Sequence, residues 1–128
     1  MVGLVLVSHS PKIAEGVRDL AKEVARGEAR IVAAGGLEDG SIGTDAVRIM
    51  DAIQEADQGG GVVILCDLGS AIMSTETALE LLDGAVEARI ADAPLVEGAV
   101  AAAVEASCGS SLAEVVDAAE ATRGVCKL

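Results

Sequence analysis

The chain has 128 residues, of which 52% are hydrophobic and none is aromatic, and its formal net charge is -12 at pH 7. This length fits one domain whose core is built from aliphatic side chains. The negative charge and the lack of aromatic rings argue against a nucleic-acid partner, because phosphate backbones would be repelled and bases would find no stacking platform.

The apolar runs and the cysteines indicate where the protein works. The longest runs, residues 62–66 and 99–104, are far shorter than the roughly 20 residues that a membrane span needs. No basic segment precedes the apolar N-terminus, which disfavours a signal peptide. The three cysteines show neither a C-x-x-C motif nor metal-ligand spacing. We therefore expect a cytoplasmic protein without a membrane partner, with Cys66 buried in a strand.

The first predicted unit is a strand followed by a helix. Residues 2–8 form an apolar strand that ends at His9, the only histidine of the chain. Ser10 and Pro11 have the chemistry of an N-cap and a first helical residue, and they open a helix that reaches about residue 26. Its apolar residues recur at helical spacing, with charged residues on the other face. They are Ile13, Val17, Leu20, Ala21 and Val24.

Three further units continue the alternation. A strand over 29–34 leads through a glycine-rich loop over 35–44 into a helix over about 45–56. Residues 62–66 are apolar on both faces, as in a central parallel strand, and Asp67 ends that strand before a helix that reaches about residue 82. A short strand over 85–90, a helix from Pro94 to about residue 106 and a last helix to about residue 121, capped by Ser110 or Ser111, complete the pattern.

This alternation predicts an α/β fold in a single domain, with a parallel sheet of about four strands and helices on both faces. The carboxyl ends of parallel strands meet at one edge, where α/β proteins place their chemistry. At that edge the strand ends deliver His9, the glycine-rich loop with Gly43 and Thr44, and Asp67. Gly69 and Ser70 follow Asp67 directly.

The residues at this edge predict phosphoryl chemistry. Each strand leads into a helix N-terminus, which attracts an anion such as a phosphoryl group, and Gly43 and Gly69 let the backbone approach it closely. Near these termini the charged form of the His9 ring is disfavoured, so the ring keeps a lone pair. A hydrogen bond from one ring nitrogen to Asp67 would leave the other free to attack phosphorus and form a phosphohistidine.

Each of these residues also has a structural alternative. A lone histidine at a strand end can be a hydrogen-bonded structural residue, and Asp67 can be a helix cap. Thr44 and Ser70 are helix caps in the first interpretation and phosphoryl ligands in the second. The chain lacks a G-x-G-x-x-G motif and a GK[ST] ending after its glycine-rich loop, so direct nucleotide binding is disfavoured. We expect no metal and no cofactor.

Four segments carry a resemblance to a known family. They are residues 4–10 (LVLVSHS), 42–45 (IGTD), 67–71 (DLGSA) and 93–98 (APLVEG). In this order, over essentially the whole chain, they resemble the enzyme IIA domain of dihydroxyacetone kinase phosphotransferase subunits. That domain belongs to the mannose-type enzyme IIA superfamily of the phosphoenolpyruvate-dependent phosphotransferase system, and its fold is the one predicted above.

The resemblance implies a phosphotransferase component with His9 as the phosphorylated nucleophile and Asp67 as its acidic neighbour. The histidine phosphocarrier protein would supply the phosphoryl group, and ADP on the nucleotide-binding subunit of dihydroxyacetone kinase would receive it. The resemblance also implies a homodimer. Some family members carry further phosphocarrier-like domains, so a chain that ends at Leu128 is expected to depend on separate phosphocarrier proteins.

Two alternatives of other kinds remain open. A sugar-class enzyme IIA would donate its phosphoryl group to a IIB domain, and a regulatory domain of the same fold would transfer none. Residues 42–45 and 93–98 favour the kinase over the sugar system. A serine or metal-dependent hydrolase is disfavoured, because one histidine cannot supply both a catalytic triad and a metal site.

Overall fold

Strands and helices alternate along the chain in the computed structural model, which describes residues 1–128. The strands are β1 (Gly3–Ser8), β2 (Ile31–Gly35), β3 (Val62–Cys66) and β4 (Ala88–Ile90). The helices are α1 (Pro11–Ala25), α2 (Ala46–Ala56), α3 (Gly69–Leu82), α4 (Leu95–Ser107) and α5 (Leu112–Glu120), followed by a 3-10 turn at Ala121–Gly124. None of these helices is long and apolar enough to cross a bilayer.

The four strands form one parallel sheet in the order β2-β1-β3-β4. This confirms the predicted fold class and strand number. The last strand is shorter than predicted, because residues 83–86 form a turn and bend after α3. Asp83 and Gly84 adopt positive φ values of 47 and 79 degrees, and the Ala85 N–H donates to the Leu82 carbonyl at 2.9 Å. The chain therefore reaches the sheet only at Glu87, whose carbonyl accepts a hydrogen bond from the Val62 N–H at 2.9 Å.

The strand order places a crevice between the carboxyl ends of β1 and β3. The chain leaves β1 towards β2 on one side and returns to β3 on the other side. Helices that follow two such neighbouring strands lie on opposite faces of the sheet, and the crevice between them is where open α/β sheets bind ligands. His9 follows β1 and Asp67 follows β3, so both stand at this crevice.

Both faces of the sheet are buried under helices. Leu4 and Leu6 of β1 point into a core formed with α1, α4 and α5. Val5 and Val7, the alternate residues, point into a second core formed with α2 and α3. All four side chains are completely buried, and the interior is aliphatic as composition predicts. The sheet beneath the crevice is therefore packed on both faces.

The predicted apolar face of α1 is only partly buried, so that part of the interpretation is wrong. Val17 and Ala21 are buried as expected, whereas Ile13, Leu20 and Val24 are 50%, 46% and 49% exposed. The buried stripe instead runs through Ala14, Val17 and Ala21. Two alanines in that stripe let the helix backbone lie close to the sheet, which makes the contact narrow and leaves one apolar flank outside it.

Two helix starts follow the capping rules that the sequence indicated. Ser10 caps α1 by accepting a hydrogen bond from the Ile13 N–H at 3.3 Å, and Pro11 is the first helical residue. Ser111, one of the two candidates, caps α5 in a capping box with Glu114. The start of α1 matters for the site, because it fixes how the chain leaves His9.

Candidate functional site

His9 is held at the crevice through its main chain. Strand β1 lies between β2 and β3 and is hydrogen-bonded to both, so its end has a fixed position. The His9 N–H donates to Asp67 Oδ2 at 3.0 Å, and the His9 carbonyl accepts from the Gly43 N–H at 2.9 Å. The His9 side chain keeps 22% of its surface exposed. The main chain of His9 is thus held in place, and its ring is partly exposed to solvent.

Asp67 accepts the hydrogen bond that orients this ring. His9 Nδ1 lies 2.9 Å from Asp67 Oδ1. The same carboxylate accepts from the Ser8 hydroxyl at 2.9 Å and from the Leu68 N–H at 2.7 Å. With the His9 N–H it therefore has four donors around two oxygens, which leaves it one fixed orientation.

These contacts keep Asp67 ionised. Burial raises the pKa of this carboxyl, but the hydrogen bonds from the His9 main chain and ring, from Ser8 and from Leu68 outweigh burial and hold the pKa below its ordinary value. An ionised carboxylate only accepts hydrogen bonds, so His9 Nδ1 carries the proton. The lone pair of the neutral ring is then on Nε2.

Ser8 is a site residue that sequence reasoning missed. Its side chain is completely buried, and its hydroxyl donates to Asp67 while accepting from the Ser10 N–H at 3.0 Å. The signal that could have found it is a polar residue at the end of an otherwise apolar strand, directly before the histidine. A buried hydroxyl requires partners, and an adjacent carboxylate is a strong one.

Ser70 stands on the other side of the ring. Its hydroxyl is hydrogen-bonded to His9 Nε2, the nitrogen that Asp67 leaves free. Ser70 is the second residue of α3 and is exposed. The residue before this helix, Leu68, offers no side-chain cap. The Ala71 N–H donates to the Leu68 carbonyl at 3.0 Å, so the first turn presents the N–H groups of Gly69 and Ser70 and the positive end of the helix dipole beside the ring.

The glycine-rich loop is tied to the site at two points. Gly43 adopts a φ of 150 degrees and donates its N–H to His9, so this N–H is already used. Thr44 and Ser74 share a hydrogen bond at 2.6 Å between their hydroxyls. Ser74 lies one turn beyond Ser70 on α3 and was also missed, because nothing in the sequence indicates that the loop crosses to α3.

The structure does not bear out the cap alternatives. The cap of α2 is Asp45, which accepts from Val47 N at 2.9 Å, rather than Thr44. The N-cap position of α3 is Leu68, so neither Asp67 nor Ser70 caps that helix. Gly69 does not need to be glycine for its conformation, because its φ is not positive and a Cβ would meet open space.

An acidic cleft of about 420 Å³ lies beside the site, between α3 and the β4–α4 connection. Its lining includes Asp67, Gly69, Ile72, Ile90 and Asp92 but neither His9 nor Ser70. The chain has no group of three or more His, Cys, Asp or Glu side chains that could hold a metal ion.

Comparison with known proteins identifies relatives along most of the chain. The model of the family described as PTS system fructose IIA component matches residues 3–116. A Listeria innocua protein named PEP-dependent dihydroxyacetone kinase 2, phosphoryl donor subunit DhaM, is 48% identical over 82% of this chain and 86% of its own length. The Escherichia coli DhaM subunit is 44% identical over 91% of this chain, which spans only 26% of that longer protein.

Solved structures share the fold of this chain. A crystal structure of a protein of unknown function, EF1359, has a TM-score of 0.84 and 35% identity, covering 99% of this chain and 98% of its own. The EIIA component of a phosphotransferase system from Streptococcus agalactiae has a TM-score of 0.71 at 14% identity, over 99% and 97% of the two chains. The second likeness shows the fold alone.

Proposed function

Since the chain belongs to the family of PTS system fructose IIA components, we propose that it is a phosphotransferase component that works through a phosphohistidine at His9. The histidine phosphocarrier protein supplies the phosphoryl group. ADP held on the nucleotide-binding subunit of dihydroxyacetone kinase receives it. His9 Nε2 is the atom that carries the group between the two.

The contact between His9 Nδ1 and Asp67 Oδ1 carries this proposal. At 2.9 Å from an ionised carboxylate, Nδ1 keeps its proton and Nε2 keeps its lone pair. In the uptake step this lone pair forms a bond to phosphorus while the P–N bond of the donor breaks. The ring then gains positive charge, which Asp67 stabilises. On delivery the new P–N bond breaks as an oxygen of ADP bonds phosphorus.

The first turn of α3 is the proposed holder of the phosphoryl oxygens. Ser70 turns its hydroxyl from Nε2 to a phosphoryl oxygen once the P–N bond has formed. The N–H groups of Gly69 and Ser70 add donors, and the helix adds a favourable dipole. Gly43 and Thr44 do not contact the phosphoryl group in this proposal. Their hydrogen bonds to His9 and Ser74 hold the glycine-rich loop in place beside the site.

The choice of dihydroxyacetone kinase as the acceptor rests on the relatives. The Listeria innocua subunit, similar over most of both chains, is named as a phosphoryl donor subunit of that kinase. A Lactococcus lactis phosphotransferase subunit of the same kinase is 39% identical over 92% of this chain and 93% of its own. The likeness to the Streptococcus agalactiae component extends to the fold only, at 14% identity. The kinase is therefore better supported than a IIB domain.

We also propose that the protein forms a homodimer and works in the cytoplasm. Three free cysteines, Cys66, Cys108 and Cys126, fit a reducing compartment.

A reconstituted relay tests the transfer itself. With phosphoenolpyruvate, enzyme I and the phosphocarrier protein, mass spectrometry should find one acid-labile phosphoryl group on the peptide that contains His9, and His9→Gln should take up none. Absence of uptake by the wild-type protein contradicts the carrier role.

A chase of the phosphorylated protein tests the acceptor. Addition of the nucleotide-binding kinase subunit with ADP should remove the phosphoryl group and yield ATP. Addition of a IIB domain should leave it in place. Transfer to the IIB domain alone would show that the acceptor belongs to a sugar phosphotransferase system and not to the kinase. Uptake by His9→Gln at the wild-type rate would show that His9 is not the residue that carries the phosphoryl group.

A further inference from the structure

Asp67, His9 and Ser70 form a chain of hydrogen bonds in the order of a catalytic triad. Asp67 Oδ1 binds His9 Nδ1 at 2.9 Å, and His9 Nε2 binds the Ser70 hydroxyl. A hydroxyl next to a base that a third group orients is the signature of an activated nucleophile. We propose that Ser70 is such a nucleophile, and that the unphosphorylated protein transfers acyl groups from small activated esters to water through an acyl-serine.

The direction of the hydrogen bonds follows from the charge on Asp67. The carboxylate only accepts, so Nδ1 donates to it, and in the neutral form of the ring Nε2 has no proton. The hydrogen bond at Nε2 therefore requires Ser70 to donate its O–H. This is the ground-state arrangement from which a serine loses its proton to histidine on attacking a carbonyl.

The position of Ser70 supplies stabilisation for the negative charge of an intermediate. Ser70 is the second residue of α3, whose first turn has no side-chain cap. The Ala71 N–H donates to the Leu68 carbonyl, so the Gly69 and Ser70 N–H groups and the helix dipole would stabilise a tetrahedral oxyanion that forms beside Ser70 Oγ. A Cβ at Gly69 would meet open space, so a small substrate can approach from that side.

The reaction balances without a further reagent. Ser70 Oγ bonds the carbonyl carbon while its proton moves to His9 Nε2, and the ester C–O bond breaks as the leaving alcohol takes that proton. Water then attacks the acyl-serine and gives one proton to Nε2. The C–O bond to Ser70 breaks, the proton returns to Ser70 Oγ, and the carboxylic acid leaves.

The substrate class is set by the openness of the site. Neither His9 nor Ser70 lines any of the cavities in the molecule. The two reactive side chains therefore do not enclose an acyl group, and the binding energy available at them has to be small. Small esters with a good leaving group, and phosphonylating reagents of serine, match such a site.

The activity belongs to the unphosphorylated protein. A phosphoryl group on Nε2 occupies the lone pair that accepts the Ser70 proton, which removes the base. Phosphorylation by the relay of the proposed function should therefore suppress the reactivity of Ser70 in proportion to the phosphorylated fraction. Full reactivity in fully phosphorylated protein would overturn the inference.

A fluorophosphonate probe tests the inference on unphosphorylated protein without any relay component. Ser70 Oγ should displace fluoride from phosphorus, and peptide mapping should place one probe on Ser70. Ser70→Ala should lose this label. His9→Gln should be labelled at least about 100-fold more slowly than the wild type, since a general base contributes about that factor or more. Ser41→Ala is the matched control, because the Ser41 hydroxyl contacts a carboxylate, Asp39, but no imidazole. It should label at the wild-type rate.

Several outcomes would overturn the inference. They are an unlabelled Ser70 in the wild-type protein, equal labelling of wild type and His9→Gln, and a p-nitrophenyl acetate adduct that forms on His9 instead of Ser70. Circular dichroism checks whether each variant is folded. If His9→Gln unfolds, Asp67→Asn replaces it and is expected to label more slowly than the wild type. Since no phosphoryl donor is present, failure of the relay and failure of this inference are separate results.

Discussion

At the residue scale, the site depends on one carboxylate that serves two purposes. Asp67 joins the ends of β1 and β3 by accepting from the His9 N–H and from Ser8, and it also orients the ring through Nδ1. Its hydrogen bonds hold its pKa low, so it stays a pure acceptor at neutral pH. The structural and chemical tasks of Asp67 therefore cannot be separated by geometry, only by substitutions that keep its shape.

The variant Asp67→Asn tests the chemical task. An amide has nearly the same shape but no charge, so it orients the ring poorly and does not stabilise the positive charge that forms on phosphorylation. A hydrogen bond to a charged group contributes about 1.5–3 kcal/mol. We therefore expect uptake from the phosphocarrier protein to slow by about 10- to 100-fold. Rapid-quench kinetics measures this rate, and an unchanged rate would leave Asp67 with the structural task alone.

The sequence predicted the central pair of this site but not its surroundings. His9 and Asp67 each follow an apolar strand, and topology brings such positions together. Ser8 carries only a weak signal, as a polar residue at the end of an apolar strand, and Ser74 carries none, because their roles depend on which hydroxyl faces which neighbour after folding. The contact of Ser70 with Nε2 depends on a side-chain rotamer in the same way, and it makes the triad visible only in the structure.

At the element scale, small residues decide how closely the helices approach the sheet. Gly3 in β1 is the clearest case, since a Cβ there would lie 2.1 Å from the carbonyl oxygen of Ala56 at the end of α2. Ala14 and Ala21 play the same part where α1 meets the sheet. Hydrophobic periodicity locates elements well but does not measure these distances, which is why it placed Ile13, Leu20 and Val24 on a single buried face.

Two alanine substitutions test this account of packing. Gly3→Ala should lower the free energy of unfolding by about 1–3 kcal/mol, because β1 and α2 must move apart. Gly16→Ala, in the exposed part of α1 where a Cβ meets nothing within 4 Å, should raise it by about 0.5–1 kcal/mol through helix propensity. Urea unfolding measures both. Equal effects of the two substitutions would contradict close packing at Gly3.

At the scale of the whole molecule, the strand order brings residues from separate strand-helix units together in one site. Because β1 and β3 are neighbours and their helices lie on opposite faces, the crevice opens where His9 and Asp67 stand. The alternation of apolar and amphipathic segments was enough to predict this class of fold. The strand order was not predictable from it, since order depends on which strand pairs form across long loops.

Acid should weaken the folded protein partly through Asp67. Its pKa is lower in the folded state than its ordinary value of 3.8, so the stability that it adds is present above that value and is lost as the pH falls through the lower folded value. The difference in free energy of unfolding between wild type and Asp67→Asn should therefore shrink between about pH 5 and pH 2. A constant difference across this range would contradict the assigned direction.

The proposed dimer is a further property of the whole molecule. Multi-angle light scattering should give twice the chain mass of 12.7 kDa at micromolar concentration. Closed two-fold dimers are the commonest assemblies of soluble proteins, and family resemblance favours one here. A mass of one chain at these concentrations would remove the dimer from the proposal and leave the chemistry at His9 unaffected.

The atom that carries phosphorus tests the account most directly. The protein has a single histidine, so nitrogen-15 spectra of the ring can be assigned without mutation. After phosphorylation by phosphoenolpyruvate, enzyme I and the phosphocarrier protein, we expect phosphorus-nitrogen coupling at Nε2 of His9, with the Nδ1 proton still bound towards Asp67. Coupling at Nδ1, or phosphorus on a residue other than His9, would contradict the account.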